Sequence, residues 1–357
     1  MRIVLDVSPL SRPRTGIGNY VRGMMVGLAE ATQGEHELVA FGPSGPNGRR
    51  RIRETLAGLP VEVRLPLLPR AQAWRSGWSR IGRPPVESVA GPLDVFHFSD
   101  WMYPSQRGGV RATTVHDLVP LRFPEWVEPA TLRMHGPKYA NAARTCDRVF
   151  VNSKFTAGEV RELLGVAEER IVVAYPGIDP RFRPEGERAD LGGPYVLAVS
   201  TLEPRKNLPR LVEAYRRASL NGLELVVAGA PGWGGVRVEG DGIRWLGEVE
   251  DDRLARLYRG ARCVAYVSLY EGFGLPVLEA MACGAPVVAG RNDASEEVAG
   301  AAAVLVDPLD ADAIAAGLAE AVGRRDELRE LGLERARAFD WREVAKATVE
   351  VYREAAA

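Results

Sequence analysis

Thirteen short apolar runs rich in Val and Ile, separated by stretches of helical periodicity, constrain this 357-residue chain more than any other feature. In the first half they are Ile3 to Val7, Leu38 to Phe41, Val61 to Leu65, Val95 to Phe98, Thr113 to Val115, Val149 to Val151 and Ile171 to Tyr175. In the second they are Val196 to Ser200, Leu223 to Ala228, Ile243 to Leu246, Cys263 to Val267, Pro286 to Ala289 and Val304 to Val306. Runs without polar alternation fit strands covered on both faces, and their alternation with helices predicts parallel sheets in an α/β architecture. The length is long for one core and suits two doubly wound domains. Between them Pro176, Gly177, Pro180, Pro184, Gly186, Gly192, Gly193 and Pro194 crowd a linker, which predicts domains over 1–185 and 186–340. Residues 341–357 form a last helical stretch with Trp341, Val344, Ala345, Thr348 and Tyr352 near one face, suited to packing back on a domain, such as the first.

No run reaches the roughly 18 to 20 apolar residues of a membrane span. The start, Met1 to Asp6, is too short in its apolar part for a signal peptide, so a cytoplasmic location is expected. Cys146, Cys263 and Cys283 are odd in number and far apart, which reads as buried thiols rather than disulfides or a zinc site. Residues 1–185 carry 25 Lys and Arg against 19 Asp and Glu, and the remainder 21 against 28. A basic half often faces an anionic partner, but charge alone names none. Only Lys138, Lys154, Lys206 and Lys346 are lysines, so a lysine here is more informative than an arginine.

Chemistry concentrates in the segment Glu271 to Gly284, where Gly272, Gly274 and Pro276 break a strand and Pro276 suits the start of a helix. One carboxylate, Glu271, falls on the loop, and Glu279 is expected in the helix's first turn. Such a pair around a glycine-rich strand-to-helix turn suits hydroxyl-rich ligand groups beside a phosphate. Arg205 and Lys206 follow the run Val196 to Ser200 and precede another helix, a place where phosphate is favoured by dipole and cation together; a solvated loop is the plainer reading. Gly16 and Gly18 open a helix after the first strand, as in a dinucleotide fold, yet Val21 stands where a third small residue belongs and no acid ends the second strand. His116 and Asp117 end the fifth run, as a site or as a satisfied core pair.

These segments, with Thr15 to Tyr20, Val151 to Thr156, Pro176 to Asp179 with Phe182, and Val304 to Pro308, resemble in order the landmarks of the retaining glycosyltransferases of family GT4. The resemblance runs along the whole chain and implies the GT-B fold: two facing Rossmann-like domains with a cleft between them, the first for the acceptor and the second for a nucleotide sugar. By the same resemblance Glu271 touches the donor sugar near its reacting carbon and Glu279 the ribose. Arg205 and Lys206 bind the diphosphate, helped by the N–H groups of Phe273, Gly274 and Leu275. Gly16 and Gly18 bring the amino-terminal loop to the donor phosphate, and His116 positions the sugar. The implied reaction is metal-independent, cofactor-free, retaining hexosyl transfer on one face of the sugar. Resemblance to bacterial mannosyltransferases of polysaccharide assembly favours GDP-mannose, with UDP- and ADP-sugars as alternatives, and a glycan, lipid-linked or small-molecule acceptor. No nucleic-acid partner is expected. The chain departs from the family's usual Pro-Glu-Val segment at Ala294 to Val298, where Glu296 takes the place of proline.

Competing readings are a nucleotide-sugar epimerase, a phosphorylase-like enzyme needing a lysine-bound pyridoxal phosphate, and a NAD-dependent oxidoreductase. Asp310-Ala311-Asp312 spells the D-x-D of metal-using transferases but precedes a helical run, so Asp310 is expected to cap it. Within Arg70 to Arg83, Trp74, Trp78 and Ile81 share a helical face among arginines. That pattern fits a peripheral membrane helix or, more simply, a packed helix or a loop, and makes Trp74 and Trp78 acceptor-side candidates, with Asp117, beside His116, as a third.

Overall fold

The computed structural model describes residues 1–13, 16–32, 34–99, 102–218, 220 and 222–357; Thr15, which opens the amino-terminal motif, lies outside them. The chain divides into two compact units, Met1–Gly177 with Asp340–Ala357, and Ile178–Phe339. Residues 178–185, expected in the first domain, thus group with the second.

In the first unit seven strands form one sheet: β1 (Arg2–Asp6), β2 (Glu37–Phe41), β3 (Glu62–Arg64), β4 (Val95–Phe98), β5 (Val110–Val115), β6 (Arg148–Val151) and β7 (Ile171–Val173). Their spatial order is β3-β2-β1-β4-β5-β6-β7, and every pairing is parallel. Each of the seven expected runs coincides with one of these strands. The four residues of β4 are all buried, as are all six of β5, which is why their sequences show no alternation. Helices cover both faces over two apolar clusters, one on each side of the sheet.

The helix Trp341–Ala356 belongs to this unit and buries Trp341, Ala345, Thr348, Val349 and Tyr352. It lies along the helix Gly16–Thr32, where a Cβ at Gly23 would overlap the Trp341 indole and one at Gly27 the Trp341 carbonyl. The two glycines, one turn apart, set how closely these helices approach.

The second unit repeats the plan with six parallel strands: β8 (Tyr195–Val199), β9 (Glu224–Ala228), β10 (Ile243–Trp245), β11 (Cys263–Tyr266), β12 (Val287–Gly290) and β13 (Val304–Val306). Their order is β10-β9-β8-β11-β12-β13. In both sheets the strand order reverses beside the first strand, between β1 and β4 and between β8 and β11. Loops leaving the carboxyl ends of such neighbours diverge and leave room for a ligand.

Asp310 caps the helix Ala311–Gly323, accepting from the N–H groups of Asp312 and Ala313. All three cysteines are buried free thiols. Among the described residues no helix is long and apolar enough to cross a membrane.

Candidate active site

The second unit's switch point gathers the charged residues singled out from sequence. After β8 the chain makes a 3-10 turn, Pro204–Lys206, and Asn207 then takes a left-handed conformation at φ 58° before the helix Leu208–Arg217. The Asn207 side chain is buried and donates to the carbonyls of Val267 at 3.1 Å and Pro308 at 2.6 Å. Three separated motifs, after β8, β11 and β13, are thereby tied at the carboxyl ends of the sheet's strands. A backbone bond from Leu269 to the Arg205 carbonyl, 2.8 Å, closes the β8 loop onto the loop after β11.

Between those loops Glu271 is held by two cations. Lys206 Nζ donates to Oε1 at 2.7 Å and Arg205 Nη1 to Oε2 at 3.0 Å. Arg205 also meets Glu203 at 3.1 Å, and Lys206 donates to the Tyr266 hydroxyl at 2.9 Å. The Glu271 and Lys206 side chains are each only 9% exposed, so this is a desolvated cluster that depends on full pairing. Burial would push the Glu271 carboxyl up, but Lys206 and then Arg205, with hydrogen bonds from Lys206 and Ser268, bring it down to about 2. Burial, followed by Arg205, holds Lys206 below its ordinary value against the pull of Glu271. Two fixed positive charges around one carboxylate are suited to a ligand carrying both hydroxyls and phosphate oxygens.

Gly274 follows at φ 113°, a conformation that strains any side chain, and caps the helix Leu275–Ala282. Phe273 is buried edge-on against Phe339, centroids 5.9 Å apart. Glu279 is the fifth residue of the helix rather than part of its first turn, and is buried, with Oε2 accepting from the Tyr258 hydroxyl at 3.0 Å. At the departure from the family pattern, the residues around Glu296 form a regular helix, Asp293–Ala299, capped by Asn292.

In the first unit His116 follows β5. Its ring meets the edge of Tyr20 at 4.8 Å, and its Nδ1 lies 3.1 Å from Asn152 Nδ2. Asp117 accepts the Val119 N–H through Oδ1 and the Tyr139 hydroxyl through its carbonyl, both bonds near 3 Å. Lys138, fully buried, donates to the Thr114 carbonyl at 2.9 Å, so the helix Pro129–Thr145 grips both sides of the His116 turn. The helix carrying Gly18 and Tyr20 begins at Gly16, where an added Cβ would meet nothing within 4 Å.

Trp74 and Trp78 do form a helix, Ala71–Ile81, but Trp78 is 3% exposed. Its indole packs on Phe41 and donates to the Pro84 carbonyl at 2.6 Å, with Trp74 4.7 Å away. This overturns the lipid-facing reading and removes Trp78 as an acceptor contact: the shared face is the core face, and only Ile81, 74% exposed, lies outside it.

Tyr266, Ser268, Tyr258 and Asn152 were missed in the sequence. Tyr266 and Ser268 lie in a run of apolar and small residues where an aromatic or serine reads as packing, Tyr258 falls on the apolar side of a charged, amphipathic helix where an aromatic reads the same way, and Asn152 shows only as part of a longer pattern. Among the described residues no three His, Cys, Asp or Glu side chains gather as a metal-ligand set would.

The profile of the family described as Glycosyltransferase Family 4 matches residues 14–182, and that of Glycosyl transferases group 1 matches residues 181–338. O-antigen chain mannosyltransferase B of Escherichia coli is 29% identical over 99% of this chain and 100% of that protein. The MMP alpha-(1->4)-mannosyltransferase of Mycolicibacterium hassiacum is 32% identical over 65% of this chain and 60% of its own length. Among solved structures, Anabaena HepE in complex with UDP and glucose superposes with a TM-score of 0.70 at 17% identity, covering 99% of this chain and 100% of that one.

Proposed function

The chain belongs to the group 1 glycosyl transferases of family 4, and from that premise we propose that it moves a hexose, mannose, from a nucleoside diphosphate donor to a glycan or lipid-linked acceptor with retention of configuration. The observation that carries this reading is Glu271 held between Arg205 and Lys206 where the second sheet's strand order reverses. GDP-mannose is the favoured donor because relatives of this chain are named as mannosyltransferases.

In this reading Arg205 and Lys206 bind the diphosphate, the turn Phe273 to Leu275 offers backbone N–H groups to it, Glu271 meets the sugar hydroxyls and Glu279 the ribose. His116, with Gly16 and Gly18, serves the donor from the first unit, and Asp117 and Trp74 remain acceptor-side candidates. The bond from C1 to the leaving phosphate breaks as the acceptor oxygen joins C1 on the same face, and the acceptor's proton passes to the leaving phosphate. Charge grows on that phosphate in the transition state, where two fixed cations act most strongly. They supply the role a divalent ion would otherwise fill, which favours a metal-independent reaction. The paired carboxylates are not an acid and base couple, because Glu271 is paired with cations rather than set to exchange a proton.

The test is Glu271→Gln, which keeps the shape and leaves two donors beside the cations. Turnover should fall by about 100-fold or more, near 2.7 kcal/mol of transition-state stabilisation, while GDP affinity by calorimetry stays within about threefold. An equal loss of both would remove the assignment. Thermal shifts with GDP, UDP and ADP then rank the nucleobase.

A further inference from the structure

Glu279 is buried five residues into its helix, and a carboxylate so placed needs a fixed donor. The Tyr258 hydroxyl, 3.0 Å from Oε2, supplies one. A carboxylate only accepts, so the phenol must donate. Burial first, and the Glu279 charge second, hold Tyr258 well above its ordinary pKa, and it keeps that proton throughout the working range.

The phenol is itself immobilised. Tyr258 is 0% exposed on the helix Asp251–Gly260, among buried Leu254, Ala255 and Leu257. Phe182 meets its ring edge-on, centroids 5.8 Å apart. Two turns earlier on the same helix face, Asp251 binds Arg181 at 2.7 Å, and Arg181 also binds Asp179 at 2.7 Å. One helix therefore fastens Arg181 through Asp251, and both Phe182 and the Glu279 carboxylate through Tyr258.

We propose that Tyr258, braced by Phe182, is a positioning residue that aims the Glu279 carboxylate at the nucleotide's ribose hydroxyls, and so sets the chain's preference for ribonucleotide over deoxyribonucleotide donors. It rests on the ribose-contacting role given to Glu279 above. A glutamate free to sample its rotamers would lose side-chain entropy at each binding event; one already held does not.

The experiment measures, on the full chain, dissociation constants for GDP and 2′-deoxy-GDP, and for UDP and 2′-deoxy-UDP, by titration calorimetry. The parent should favour the ribose form by about tenfold or more, the scale of hydrogen bonds to a charged group. Tyr258→Phe should cut that preference several-fold with deoxy binding unchanged, and raise KM for the donor with kcat within about twofold. Weaker binding of both forms alike, with kcat falling too, marks a merely structural role and overturns the proposal. A parent with no ribose preference overturns the Glu279 reading and the proposal together. A preference erased by Glu279→Gln but kept in Tyr258→Phe overturns the proposal alone. Phe182→Leu leaves the hydroxyl in place and loosens only the brace. It should show an intermediate loss of preference and serves if Tyr258→Phe does not fold; full preference in Phe182→Leu then counts as refutation.

Discussion

His97 is fully buried, with Nδ1 2.5 Å from the Tyr352 hydroxyl and Nε2 2.9 Å from Thr114 Oγ1. Burial first, then the charges of His116 and Lys138, lower its pKa to about 3. The folded protein keeps this ring neutral, whereas the unfolded chain takes up a proton near pH 6.5. Its contribution is therefore complete above about pH 6.5 and drains away as pH falls toward 3, with a slope of at most about 1.4 kcal/mol per pH unit. Glu271 acts in a lower window, complete above its ordinary value of 4.5 and lost as pH falls toward about 2. Between pH 6.5 and 4.5 Glu271 adds no loss, whereas His97 does, together with the half-buried His36, whose pKa is lowered by burial and then by the amino terminus. The urea midpoint of the first unit should drop from pH 7 to pH 5, and less so in His97→Gln, which meets both hydroxyls without titrating; parallel declines would exclude His97 as the group. At this scale the residue types of the candidate site were readable, because Glu271, Arg205 and Lys206 are charges at strand ends with no packing reason to be there. Tyr258 and His97 were not: Tyr258 falls on the apolar side of an amphipathic helix and His97 in an apolar strand, and only the fold shows that the polar atom of each meets a partner from another element.

Helix faces were half legible. The spacing of Trp74, Trp78 and Ile81 announces a helix with an aromatic side, but periodicity cannot say whether protein or lipid covers that side. Phe41 and the Pro84 carbonyl answer it for Trp78. Trp78→Ala should cost about 3 to 5 kcal/mol by chemical denaturation, the scale for an emptied aromatic site, while Ile81→Ser should stay within about 0.5 kcal/mol. Comparable small effects would put Trp78 back on the surface. Where the helices Gly16–Thr32 and Trp341–Ala356 touch, the space at Gly27 is limited by backbone, which cannot swing aside. Gly27→Ala should lower first-unit stability by about 1 to 3 kcal/mol, and Gly16→Ala, facing open space, should change stability far less.

For the whole molecule, strands covered on both faces, such as β9 and β12, made the two sheets readable, since such strands are apolar along most of their length. The boundary was less so. The crowd of Pro and Gly marks irregular backbone, but its allegiance depends on contacts such as Phe182 with Tyr258 and Arg181 with Asp251, which carry residues 178–185 into the second unit. The first unit is completed from the far side of that insertion, because Trp341, Ala345, Val349 and Tyr352 join its core. Ending the chain at Phe339 should abolish the first unit's calorimetric transition and leave that of Ile178–Phe339 in place; two intact transitions would show the helix to be dispensable. During synthesis the same arrangement makes order of emergence differ from order of completion. The second unit has all its residues in hand while the first, though made earlier, still lacks the helix that packs along Gly23 and Gly27 and completes its core.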